Sequence, residues 1–193
     1  FILWFGWFGF NGGSQLALAG FENATAVATI YINTNLAACA GVMTCAVITR
    51  LVNGKTDVIM MLNGALGGLV AITAEPLTPT PIMAIIIGAI GGIIVILGTQ
   101  ALNKLQIDDV VGAIPVHLFA GIWGTLAVPL TNSGTSFGPQ LLGTASICAF
   151  VFVVSFIVWS IMKATIGIRI SEEAEKEGTD IAETGVTAYA IRD

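Results

Sequence analysis

Six apolar stretches separated by polar gaps account for most of the chain. They run from Phe1 to Ala19, Val27 to Thr49, Val58 to Ala74, Ile82 to Leu102, Val110 to Leu130, and Gln140 to Ile168. Most approach the ~20 residues a helix needs to cross a hydrocarbon core. The third is shorter, as suits a kinked or tightly packed helix. The pattern predicts an all-α membrane protein with six transmembrane helices over residues 1–168. Gly9 and Gly13, Gly64 and Gly68, and Gly88 and Gly92 each stand four apart. That spacing puts each pair on one helix face, where another helix can approach closely. Pro115 lies inside the fifth stretch and predicts a kink. Pro76, Pro79 and Pro81 mark one loop and residues 131–138 another, with Pro139 just ahead of the sixth span.

Charge orients the helices. Arg50 and Lys55 lie in the second gap and Lys104 in the fourth, while Lys163, Arg169, Lys176 and Arg192 end or follow the sixth span. The first, third and fifth gaps hold only Glu22 and Glu75 as charges. Loops that retain Lys and Arg are cytoplasmic. Both ends of the chain are therefore expected on that side, with residues 169–193 forming a cytoplasmic tail. Ser171 can cap a short helix through Lys176, which Gly178 would end. Composition excludes other classes. The chain is 55% hydrophobic and 10% charged, too few charges for the surface of a soluble domain. No basic patch suggests nucleic-acid binding. Cys39, Cys45 and Cys148 sit in apolar segments as expected small buried residues, without metal-ligand spacing. The chain opens inside an apolar run, without Met or a recognisable leader. It reads as a fragment whose preceding portion is missing.

Few residues carry chemistry. His117 is the sole histidine, eight residues past Asp109. Counted as helix, that puts it ~12 Å into the bilayer, near the midplane. An ionisable group at that depth is a functional candidate. A neutral imidazole has one donor and one acceptor nitrogen, suited to passing a small polar molecule along. Phe10 and Ser14 are four apart and share a helix face, with Ser14 ~6 Å nearer the outside. Thr73 ends the third span at similar height. An aromatic face attracts a cation, and hydroxyls accept its N–H bonds. The bland alternatives are packing for Phe10 and backbone bonding for Ser14 and Thr73. No metal cluster, Ser/His/Asp set or paired acids occupy the spans, so no enzyme activity and no cofactor are expected.

Phe-Gly-Trp-Phe-Gly-Phe-Asn-Gly-Gly-Ser at 5–14 resembles a motif of the ammonium transporter (Amt/Mep/Rh) family. So do Asn-Gly-Ala-Leu-Gly-Gly-Leu-Val-Ala-Ile-Thr at 63–73, Asp-Asp-Val-Val-Gly-Ala-Ile-Pro-Val-His at 108–117, and Gly-Ile-Arg-Ile-Ser-Glu-Glu-Ala-Glu-Lys-Glu-Gly at 167–178. The resemblance covers essentially the whole chain and is greatest to the bacterial Amt branch. It implies an eleven-span fold of which this chain is similar to spans six to eleven. It also implies a homotrimer with one pore per subunit and ammonium or ammonia as cargo. Ammonium would be recruited at an outer site, deprotonated, and passed on as ammonia. By the resemblance Phe10 is one of two stacked pore phenylalanines, Ser14 an outer-site serine, and Thr73 a pore-facing threonine. His117 is one of paired pore histidines, with Leu66 and Ala113 also lining the pore. The second histidine, second phenylalanine, outer-site tryptophan and a membrane aspartate belong to the other half. A P-II type signalling protein is an implied cytoplasmic partner. The tail is expected to dock on the cytoplasmic face, with Arg169 near Asp57, Asp108 and Asp109 and apolar contacts from Ile170, Ile181 and Tyr189. An ammonium sensor signalling through that tail is the alternative, followed by a transporter of another solute.

Overall fold

The computed structural model describes residues 1–188, which contain helices and no strand. Tyr189 and Arg192 lie outside the described residues. Two compact units divide the chain, Phe1–Ala145 and Ser146–Asp193.

The first unit is a helix bundle. It comprises α1 (Ile2–Gly13), α2 (Phe21–Asn53), α3 (Val58–Thr73), α4 (Pro81–Lys104) and α5 (Ile114–Leu130). Helix α6 (Phe137–Thr165) starts within it and continues into the second unit. Three helices, α2, α4 and α6, are long and apolar enough to cross a membrane; α3 and α5 are apolar but shorter. This is the helix content of a membrane protein.

Glycine sets the spacing of the bundle. Helices α2, α3 and α4 touch backbone to backbone. A Cβ added at Gly64 would stand 2.6 Å from the Gly41 carbonyl oxygen, and one at Gly91 2.6 Å from that of Gly67. Gly68 and Gly88 both face the Ala37 carbonyl, and Gly92 faces Gly41. The expected seams at Gly64/Gly68 and Gly88/Gly92 are therefore present. The short α3 is the tightly packed helix, with Gly64, Ala65, Gly67, Gly68, Leu69, Ala71 and Ile72 buried. Ala37, Ala71, Ile72, Ala84, Ile87 and Ala127 form the core beside Trp123. Trp123 donates its indole N–H to the Ile87 carbonyl at 3.1 Å. The seam expected at Gly9 and Gly13 is not there. Among the described residues nothing lies within 4 Å of a Cβ at either position. The close approach on α1 falls at Gly12, against the ring of Tyr31.

Element ends also differ from the apolar pattern. Helix α1 stops at Gly13, not Ala19. Two adjacent glycines are poor helix formers, and the chain turns beyond them with Leu16 and Gly20 at positive φ. Helix α2 starts earlier, at Phe21, because its first turn needs no apolar face and Glu22 there suits the helix dipole. Helix α5 begins near Ile114 rather than Val110, so Pro115 sits in its first turn instead of kinking its interior. Proline is tolerated there because its missing N–H has no intrahelical acceptor to lose. The first six residues, Ile114–Phe119, are wound as a π-helix before α-geometry resumes. Pro139 likewise lies in the first turn of α6. Of the cysteines, only Cys45 is buried; Cys39 is exposed and Cys148 half-buried.

In the second unit, the α6 residues 146–165 are followed by α7 (Glu172–Glu177). Ser171 Oγ accepts from the Ala174 N–H at 3.2 Å, the expected cap, and Gly178 ends the helix. Arg169 donates to Glu175 at 2.8 Å. This partner is local, six residues on in the same unit. A helical turn, Asp180–Thr184, follows. The Ala188 N–H donates to Asp180 Oδ2 at 2.7 Å and holds that carboxyl below its ordinary value of 3.8.

Candidate functional site

Helices α1 and α3 meet through polar side chains. Trp7 donates its indole N–H to Thr73 Oγ1 at 2.7 Å. Thr73 in turn donates to the Leu69 carbonyl at 2.6 Å, so its hydroxyl is saturated on the donor side. The Trp7 and Phe10 rings stand edge to face, 6.2 Å between centroids. Trp7 therefore connects two of the expected site residues, Phe10 and Thr73. Phe10 is 61% exposed, its ring presented outward from the bundle.

Ser14 follows α1 as its terminal cap. Its Oγ donates to the Phe10 carbonyl at 2.7 Å. That leaves the oxygen lone pairs open and fixes the hydroxyl one turn beyond the Phe10 ring. The backbone bond that is the bland fate of a helical serine is present in this chain. Below this face, Asn11 donates to Thr34 Oγ1 at 3.0 Å, a buried bond that ties α1 to α2. Phe8 packs edge to face on Tyr31 at 5.4 Å.

His117 is exposed on α5, and no hydrogen bond reaches its ring from the described residues. Residues 110–112 are not helical, so helical rise accounts for only the four residues from Ala113, about 6 Å of the path from Asp109 to His117. Ala113 is exposed beside it and Leu66 is half-buried on α3. Leu66 lines an apolar recess of about 550 Å³ with Trp4, Cys39, Met43, Met61 and Leu62.

The start of α5 is fastened by Asp109 and Asn63, to which the sequence reading gave no such role. Asp109 accepts from the Ala113 N–H at 2.9 Å and from the Ile114 N–H at 2.8 Å, one bond per carboxylate oxygen. Asn63 on α3 donates to the Val111 carbonyl at 3.1 Å. At the opposite end of the bundle, Asn33 donates to the carbonyls of Pro76 and Pro79. Glu75 accepts from Asn132 at 2.9 Å, joining the loop after α3 to the loop after α5.

Trp7 was missed as a site residue. An indole N–H seeks an acceptor when partly buried, and Trp7 lies one turn from Phe10 on the same side of α1. That placement was visible, but its acceptor, 66 residues away, was not. Among the described residues no group of three His, Cys, Asp or Glu could hold a metal ion.

The comparisons with known proteins agree on one family. Residues 1–189 match the Ammonium Transporter Family. The ammonium transporter Amt2 of Archaeoglobus fulgidus is 44% identical over 98% of this chain and 44% of its own length. A solved structure described as a Sensor Amt Protein superposes with a TM-score of 0.86 at 32% identity, over 94% of this chain and 47% of that one. Candida albicans Mep2 gives 0.79 at 29% identity, over 95% and 44%. The chain thus spans about half the length of the relatives it matches. With its glycine-sealed helix bundle and the aromatic and hydroxyl cluster on α1 and α3, the chain belongs to the ammonium transporter family.

Proposed function

We propose that this chain forms one wall of an ammonium-conducting pore. The observation that carries this reading is the Trp7–Thr73 bond with the exposed Phe10 ring beside it. It assembles a π-face, an indole and a hydroxyl oxygen where a small cation could be received. The cation–π attraction is worth ~0.5–2 kcal/mol, more when desolvated. Ser14 supplies a second oxygen one turn further on.

A bare cation at the bilayer centre costs from a few to more than 10 kcal/mol. Loss of the proton removes that barrier, and neutral ammonia can then pass an apolar wall. In this reading His117 meets the ammonia with one ring nitrogen as donor and the other as acceptor, and Leu66 and Ala113 supply the apolar wall. The complete protein supplies the facing wall, assembles as a homotrimer in the plasma membrane, and keeps its tail on the cytoplasmic side, where a P-II type protein could bind. The basic residues of the second and fourth gaps and the tail support that orientation.

A second reading is an ammonium sensor that signals through the tail with little flux. It is favoured by one observation, the superposition on a protein described as a sensor. One experiment separates the two. Ammonium and methylammonium fluxes are measured in sealed vesicles with the complete transporter and its His117→Ala variant. Transport predicts substantial flux and an altered ammonium-to-methylammonium ratio in the variant. Binding with negligible flux in both proteins would favour the sensor. Substantial but unchanged fluxes in the variant would remove His117 from the pore.

A further inference from the structure

We propose that Asp109 is a positioning residue for His117, acting through the first turn of α5. The proposal rests on the reading of His117 as a pore residue. It starts from an accounting of amides. The first N–H groups of a helix have no intrahelical acceptors and must find others. Ala113 and Ile114 donate to the two oxygens of Asp109 at 2.9 and 2.8 Å. Pro115 has no N–H. The Val116 N–H reaches the Gly112 carbonyl at 3.1 Å. Every amide of the turn that precedes His117 is thus assigned, and the carboxylate takes the two that the backbone does not.

The carboxylate suits this task for two reasons. It offers two acceptor oxygens and no donor, and its negative charge faces the positive end of the helix dipole. The loop that carries it is also held. Asn63 grips the Val111 carbonyl from α3. Gly112 lies at φ +77°, and a Cβ there would stand 2.8 Å from Asn63 Nδ2, so glycine meets both a conformational and a steric demand. On the other side, Gly98 of α4 lets Pro115 and Phe119 pack close, with a Cβ at Gly98 only 3.0 Å from that of Pro115. The turn is therefore wedged between α3 and α4 and tied at its origin by Asp109. His117 lies three residues beyond Ile114, less than one turn from the tie. A rotation of this turn would swing the imidazole around the α5 axis while the rest of the bundle stayed in place.

The test uses the complete transporter reconstituted in vesicles, with ammonium and methylammonium fluxes read as a ratio. Asp109→Asn keeps one acceptor oxygen and Asp109→Ala keeps none. The expected result is a graded shift of the ratio, small for Asn and several-fold for Ala, in the direction that His117→Ala shifts it. In a His117→Ala background, Asp109→Ala should then add nothing to the ratio, because the group it positions is gone. A purely structural role would lower the amount of active protein without moving the ratio. The proposal is overturned if Asp109→Ala leaves the ratio unchanged, or if its shift persists undiminished without His117. Should the Ala variant fail to insert, the Asn variant carries the same comparison. Loss of any effect from His117→Ala alone would instead sink the pore reading beneath the proposal.

Discussion

Trp7 and Thr73, 66 residues apart, are joined by a 2.7 Å hydrogen bond that holds α1 against the end of α3. The bond loads the threonine from one side only. Thr73 still donates to Leu69, so its own proton stays satisfied if the indole is removed. Trp7→Phe should therefore cost only the net worth of one bond, about 0.5–1.5 kcal/mol. In the complete transporter the freed hydroxyl and the displaced ring edge should raise the half-saturating ammonium concentration, roughly 2- to 10-fold. An unaltered concentration dependence, with the melting temperature lowered as expected, would mean that the pair is structural only.

The glycine seams predict a contrast between two alanine substitutions. A Cβ at Gly91 would stand 2.6 Å from the Gly67 carbonyl oxygen, and backbone cannot yield as a flexible side chain can. Overpacking of this kind costs about 1–3 kcal/mol. At Gly121 the nearest atom is a Val70 methyl at 3.6 Å, an ordinary contact. Gly121→Ala should be neutral, or stabilising by up to ~1 kcal/mol through helix propensity. Thermal melting of the complete protein in detergent reads both. Equal stability of the two variants would show that α3 and α4 slide apart easily.

The apolar pattern revealed the helices but misplaced several of their ends. Hydropathy marks what can be buried, whereas a helix ends where backbone groups lose their partners. Ala17, Leu18 and Ala19 are apolar yet follow Gly12 and Gly13, which break α1 first. Val110 and Val111 are apolar yet lie in the loop pinned by Asn63. Small-residue spacing was a good guide where both partners lie within the bundle, at Gly64/Gly68 and Gly88/Gly92. It found no partner at Gly9 and Gly13, where none of the described residues comes within 4 Å of an added Cβ. The site was legible as residue types on helix faces. The bonds of Trp7 to Thr73 and Asn63 to Val111 were not, because each joins side chains to partners that only the packed fold brings together.

The tail carries a built-in pH dependence. Asp180 is partly exposed, and the Ala188 N–H that it accepts lowers its carboxyl below 3.8 in the folded turn. A lowered folded value means that the turn favours the ionised form. Its contribution is complete above the ordinary aspartate range and disappears as pH falls through the lowered value. The Ala188 amide resonance of the full-length protein should move in that acidic window, and Asp180→Asn should abolish the movement. A midpoint at or above 3.8 would show that the bond is too weak to bias the group.

The last prediction concerns Asn33, which is buried on α2 and fastens the loop after α3. Its amide donates to the Pro76 carbonyl at 3.0 Å and to the Pro79 carbonyl at 2.7 Å. The amide oxygen has no partner among the described residues. Two substitutions separate the donor role from simple filling of space. Asn33→Leu removes both donors but also removes the unpartnered oxygen. Each buried carbonyl left without a donor costs ~1–3 kcal/mol, partly offset by deleting that oxygen. Asn33→Asp keeps the shape and inverts the chemistry, because an ionised carboxylate only accepts and would face two carbonyl oxygens. The aspartate variant should therefore be the less stable of the two at neutral pH. It should recover part of the difference on acidification, when a protonated carboxyl can donate to one of the carbonyls. Melting temperatures of the complete protein across pH 4–8 measure this directly. An aspartate variant as stable as the leucine one at neutral pH would mean that the Pro76–Pro79 loop is not held by the amide.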